Sequence, residues 1–253
     1  MRERLATMLL LSLAVPCRLN AEQKQPIRRE ATTLSPLPAG LTLPVTLKRR
    51  LQAGRTPAGT AIQAVTTQRI LLPNGLYLKA GAHLLGSVLA STSTPPSLDL
   101  RFTTLQVHDQ TVPISVRAIA IANFTDVSDT ALPANSSTDR GNPSPANWTT
   151  RQIGGDEVVR SGWSGDVINN TTQTVGFANY DGVYASPPKP GDVPHAVGSF
   201  STSAHGLYGK SPDCTLNSPV SIITIGCTNS RPELHSGDNL LLEILPTSSP
   251  SHD

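Results

Sequence analysis

Few residues in this chain have a type and spacing suited to chemistry. Its six histidines, His83, His108, His195, His205, His235 and His252, never recur at i, i+2 or i+4, so a metal site has no local signature. Asp156 and Glu157 are adjacent, and neighbours on a strand point to opposite faces, so they cannot flank one glycosidic bond. There is no Gly-x-Ser-x-Gly elbow, and the glycine-rich segments lack a phosphate-loop lysine and a following helix. His205 is the best placed histidine: in Ala204-His205-Gly206-Leu207-Tyr208-Gly209 an imidazole and a phenol lie between glycines. Trp163, Tyr180, Tyr184 and Tyr208 share that glycine-rich half and offer a shallow sugar- or peptide-binding face, with core filling as the alternative use. The candidate binding set is therefore His205, Tyr208, Trp163, Tyr180 and Tyr184. No catalytic residue, metal or cofactor is assigned.

The cysteines speak to compartment. Met1-Arg2-Glu3-Arg4 is a basic start, Leu5 to Val15 is an apolar run, and Leu19-Asn20-Ala21 offers a small residue at a cut. That is the layout of a secretory signal peptide, cleaved after Ala21. Cys17 admits a lipid anchor as an alternative, although Pro16 directly before it makes a poor lipoprotein site. Export leaves Cys214 and Cys227, and an even count in an oxidising compartment reads as one disulfide. They cannot complete a tetrahedral zinc site alone.

The elements that must position these residues read as β-strands. Charged residues are 15% and aromatics 4%, with 22 Pro and 19 Gly as punctuation. A net charge of +2 gives no argument for nucleic acid. Pro38-Ala39-Gly40, Pro57-Ala58-Gly59 and Lys79-Ala80-Gly81 each precede a predicted strand. Leu41, Leu43, Val45 and Leu47 alternate, and Pro44 among them predicts an edge strand. Ala61 to Thr67, Leu76 to Leu78 and Ala82 to Ala90 follow, with Gly86 marking a bulge or bend. Leu98 to Val107 and Val112 to Ile121 predict a hairpin, and a phase slip predicts a bulge near Thr103-Thr104.

Residues 122–150 lose periodicity and read as a long surface loop. Arg151 to Asp181 reads as short hairpins turning at Gly154-Gly155-Asp156, Ser164-Gly165-Asp166 and Asn169-Asn170. Ser218 to Cys227 and Asn239 to Leu245 complete the strands. The expected fold is all-β: a small antiparallel β-barrel or sandwich with a long Gly/Asn-rich β-like insert. Its expected parts are a signal peptide (1–21), a flexible leader (22–40), a β domain (41–245) interrupted by an insert (122–235), and an unstructured tail (246–253).

Several segments share a pattern of turns and apolar spacing. They are Gly59-Thr60-Ala61-Ile62-Gln63-Ala64-Val65, Leu78-Lys79-Ala80-Gly81-Ala82-His83-Leu84-Leu85-Gly86-Ser87, Leu100-Arg101-Phe102-Thr103-Thr104-Leu105 and Asp109-Gln110-Thr111-Val112-Pro113-Ile114. Ser236-Gly237-Asp238-Asn239-Leu240-Leu241-Leu242 would be the closing strand. Together they resemble the C-terminal barrel region of the TrbI-like conjugal-transfer family, the outer-membrane scaffold of type IV secretion channels. The resemblance covers about a third of the chain and implies a barrel that serves as a scaffold. That family carries an inner-membrane anchor and a pore-lining helical hairpin. Here a signal peptide and the insert 122–235 stand in their places, so a pore is not implied.

The resulting expectation is an exported, non-enzymatic barrel acting as a scaffold or binding module in the periplasm or cell envelope, or secreted. Its partners would be envelope proteins or a glycan, and it would meet the membrane only through the transient signal peptide. The alternatives are a secreted hydrolase or carbohydrate-active enzyme using His205 and a nearby acid, and a surface adhesin.

Overall fold

The computed structural model describes residues 36–107, 109–130, 148–155, 157–160, 164–169, 171–187 and 189–246. The signal peptide, most of the leader, His108, Trp163 and residues 247–253 of the tail lie outside them.

The chain is nearly all β, as expected. Its first half runs β1 (Thr42–Leu47), β2 (Leu51–Gln52), β3 (Ala61–Thr66), β4 (Ile70–Leu71), β5 (Tyr77–Leu78), β6 (His83–Ser93), β7 (Pro96–Val107), β8 (Gln110–Pro113) and β9 (Val116–Ala122). A short helix α1 (Phe124–Asp129) follows. Then come β10 (Trp148–Arg151), β11 (Glu157–Arg160), β12 (Gly165–Ile168), β13 (Thr174–Asn179), β14 (Gly182–Ala185) and β15 (His195–Ala196). The last strands are β16 (Gly206–Tyr208), β17 (Cys214–Asn217), β18 (Ile223–Cys227), β19 (Glu233–Leu234) and β20 (Asn239–Ile244).

The three early turns share one chemistry. Gly40, Gly59 and Gly81 have φ of +83°, +80° and +83°, the value that the third residue of a type II turn requires and that an L side chain resists. Leu41 N donates to Pro38 O, and Thr60 N to Pro57 O, closing two of them. Each turn delivers the chain into β1, β3 or β6.

These strands wrap into a barrel. The main sheet has the order β16-β9-β20-β1-β3-β6-β7-β18-β17, with β8 on part of β7. Every neighbouring pair is antiparallel except β16–β9, which is parallel. Nine strands in a ring cannot all alternate, so one parallel pair is a geometric necessity of this count. The ring is nearly closed. Its seam lies between β16 and β17, which run antiparallel with no ladder between them. The connection through Lys210 joins the seam at one end. At the other, Ala118 N donates to Ser218 Oγ at 2.9 Å.

Of the bulges that curve the sheet, one falls where the sequence predicts it, and others lie between Val88 and Ala90 and between Leu241 and Leu242. Leu85 faces Thr104 and Gly86 faces Phe102, so Thr103 is the extra residue. The expected hairpin forms only over Thr104–Val107 and Gln110–Pro113. Beyond it the chain departs, and β9 pairs with β20 instead. The interior holds Leu43, Leu47, Ile62, Leu84, Leu98, Leu100 and Phe102, all at 2% exposure or less. Burying each such side chain contributes roughly 1.5–3 kcal/mol before conformational entropy is counted.

Other expectations need correction as well. Strand β1 is central, flanked by β20 and β3. Pro44 is tolerated because it ends the β1–β3 ladder: it accepts from Thr67 N at 2.9 Å, and its missing N–H costs one bond there. The region 122–150 is not all loop, since Asn123 Oδ1 caps α1 by accepting from Asp126 N at 2.8 Å and β10 begins at Trp148. Gly165 and Asp166 belong to β12 and not to a turn.

The segment 122–235 also divides. Its middle forms a separate meander, β10-β11-β12-β13-β14-β15, whereas β16, β17 and β18 return to the barrel. The meander leans on the barrel. Thr42 Oγ1 donates to Ala196 O at 2.8 Å, and Tyr184 Oη donates to Arg69 O at 2.8 Å. Ile153, Phe200 and Ala204 pack on Ala120, Ala122 and Leu241 of the outer wall.

Candidate functional site

Strand directions put the ends of β9, β16 and β18 and the starts of β17 and β20 at one mouth of the barrel. Asp238 sits there, on the turn that opens β20, with its side chain 1% exposed. A buried carboxylate needs donors, and this one has three. Oδ1 accepts from Phe124 N at 3.0 Å, and Oδ2 accepts from His235 N at 2.9 Å and from Lys210 Nζ. Lys210 Nζ also donates to Glu233 O at 3.0 Å. One ion pair thus ties the first residue of α1, the turn after β16 and the segment before β20 into a single rim.

Two further carboxylates brace that rim. Glu233 accepts from Arg50 and lies 3.0 Å from His235 Nε2. Burial pushes its carboxyl up, and the Arg50 hydrogen bond with the charges of His235, Arg50 and Lys210 outweighs this, leaving it below its ordinary value. Asp213 accepts from Ser211 Oγ at 2.5 Å and from Asn229 N and Ser230 N, both at 2.7 Å. The Ser211 hydroxyl first, then these backbone amides, hold its carboxyl far below the usual carboxylate range.

Inside the rim lies a cavity of about 480 Å³. Leu207, Ile225 and Leu234 supply apolar walls continuous with the barrel core. Phe124, 60% exposed, stands at the edge. The volume falls in the range of small-molecule sites. Arg231 also lines the cavity and is exposed.

The disulfide borders the same site. Cys214 lines the cavity and is bonded to Cys227, with a Cα–Cα distance of 4.0 Å. Thr228 N donates to Asp213 O, so this is a non-hydrogen-bonded cross-strand pair, the position where opposed side chains approach most closely. The bond staples β17, which borders the open seam, to β18.

The residues singled out from sequence are not brought together. His205 N donates to Tyr208 Oη at 3.1 Å, so these two do meet. The His205 ring Nδ1 faces Ser203 O at 2.9 Å, and no described ion pair joins it to a carboxylate. Tyr208 packs against the outer wall, while its neighbour Leu207 faces the core. Tyr184, on β14, is buried against the barrel core and stacked on Phe177 with ring centroids 5.2 Å apart. Tyr180 is 88% exposed on the β13–β14 turn. Trp163 lies outside the described residues. Among the described residues, no three His, Cys, Asp or Glu side chains are grouped to hold a metal.

Sequence reading missed Lys210, Arg231, Glu233 and Asp238. The dense run Arg231-Pro232-Glu233-Leu234-His235 before Ser236-Gly237-Asp238 was the one available signal. No protein-family model, curated protein or solved structure matches this chain.

Proposed function

We propose that this chain is an exported, non-enzymatic β-barrel protein of the cell envelope, a scaffold or binding module of the TrbI-like kind. The observation that carries this reading is the placement of the segments that resemble that family. They fall on β3, β6, β7, β8 and β20, and all but β8 lie on the main ring with β1 between β20 and β3. Export is supported by the apolar run Leu5 to Val15 and by a disulfide, which persists in oxidising compartments. The binding role is supported by the cavity at the barrel mouth, whose carboxylates are all engaged in holding the rim. The partners would be envelope proteins.

The test is affinity purification of the tagged full-length protein, after export, from periplasmic and outer-membrane fractions. Recovery from these fractions with outer-membrane secretion components is the expected result. Recovery only from the cytoplasm, or a glycan hydrolase activity that His205→Ala abolishes, would overturn the reading.

A further inference from the structure

The charges around the mouth cavity do not cancel. Asp238 is met by Lys210, and Glu233 by Arg50 and His235. Asp213 does not line the cavity and is turned into the backbone amides of Asn229 and Ser230. Arg231 is different. It is exposed at the cavity wall, and no hydrogen bond or ion pair among the described residues engages it. A guanidinium always carries its charge and presents a planar fork of donors that matches a carboxylate bidentately. Among the described residues the cavity therefore offers one uncommitted cation beside apolar walls, with the lining carboxylates Glu233 and Asp238 already engaged.

We propose that this cavity binds a compact apolar carboxylate. The anionic head meets the Arg231 guanidinium. The apolar body lies against Leu207, Ile225 and Leu234, with Phe124 folding over its exposed side. The two carboxylates that line the cavity, Glu233 and Asp238, are already engaged, so neither is free to pair with an amine of the same shape. The walls separate a chain-bearing acid from acetate, which has nothing to bury.

This inference rests on the binding-module reading, and the two fail separately, because envelope location and partners do not depend on Arg231. The test titrates the purified mature protein with octanoate by calorimetry, with octylamine and acetate as competitors. Octanoate should saturate one site, and neither competitor should displace it. Arg231→Gln should weaken octanoate binding tenfold or more at an unchanged unfolding temperature, since no described residue is bonded to the side chain. Arg231→Lys should recover part of the affinity, keeping the charge without the fork. Absence of saturation, equal competition by octylamine, or wild-type affinity in Arg231→Gln would overturn the proposal.

Discussion

Gln68 holds both backbone polar groups of Val183: its Oε1 accepts from Val183 N at 3.1 Å, and its Nε2 donates to Val183 O at 3.0 Å. The same Oε1 accepts from Gly198 N at 3.0 Å. One buried amide from the barrel thus acts as a short strand against the meander. Beside it Arg69 pairs with Asp181 at 2.9 Å. Gly182 leaves room for the amide, since a Cβ there would stand 2.4 Å from Gln68 Cδ.

Gln68→Leu should therefore loosen the meander first. It strands two part-buried N–H groups, at a cost of about 2 kcal/mol. Hydrogen exchange should accelerate at Val183 and Gly198 while β3 and β6 amides stay protected. Uniform acceleration across both sheets would show that the latch is not local.

The Lys210–Asp238 pair should be strongly coupled. Removing one partner leaves an uncompensated charge at 12% or 1% side-chain exposure. Asp238→Ala and Lys210→Met should each cost about 3–5 kcal/mol in urea unfolding. The double variant Lys210→Met/Asp238→Leu should cost clearly less than their sum. Additive costs would mean the two side chains act independently.

Neither of these relationships was legible in the sequence, whereas features built from neighbouring residues were. The type II turns, the Gly86–Thr103 bulge, β20 and the cysteine pair each rest on local chemistry, and local chemistry is written in consecutive residues. Pro44 misled because its ladder position depends on Thr67, not on its neighbours. The return of β16 to the wall was invisible: three residues carry no period, and their partner β9 lies far back in the chain. The helix Phe124–Asp129 has no buried face to betray it. The site was harder still, because Lys210 and Asp238 meet only once β16 and β20 share a rim, and nothing local marks Arg231 as the uncommitted cation.

Breaking the Cys214–Cys227 bond should release the strand at the seam. The cysteines are 13 residues apart, and the chain-entropy account gives about 3 kcal/mol for a loop of that size. Thermal unfolding with and without reductant should show the loss in the wild type, and reductant should not further destabilise Cys214→Ser/Cys227→Ser. An unfolding temperature indifferent to reduction would contradict the staple.

Asp213 should make stability pH-dependent. Its folded carboxyl titrates below its ordinary value near 3.8, so its contribution is full above that value and fades as pH falls through the folded one. Wild type should exceed Asp213→Asn in unfolding temperature at neutral pH, and the gap should narrow in strong acid. A gap that widens on acidification would reverse the sign and refute the hydrogen-bonded turn.

Export into an oxidising envelope is the central claim of the proposed function, and the mass of the protein recovered from cells reads it directly. Full-length protein expressed with a C-terminal tag is taken from periplasmic and envelope fractions, treated with an alkylating agent without reductant, and weighed by intact mass spectrometry. The expected species begins after Ala21 and carries no alkyl group, its two cysteines being joined. A cytoplasmic species that retains its N-terminus and is alkylated at Cys214 and Cys227 would contradict it.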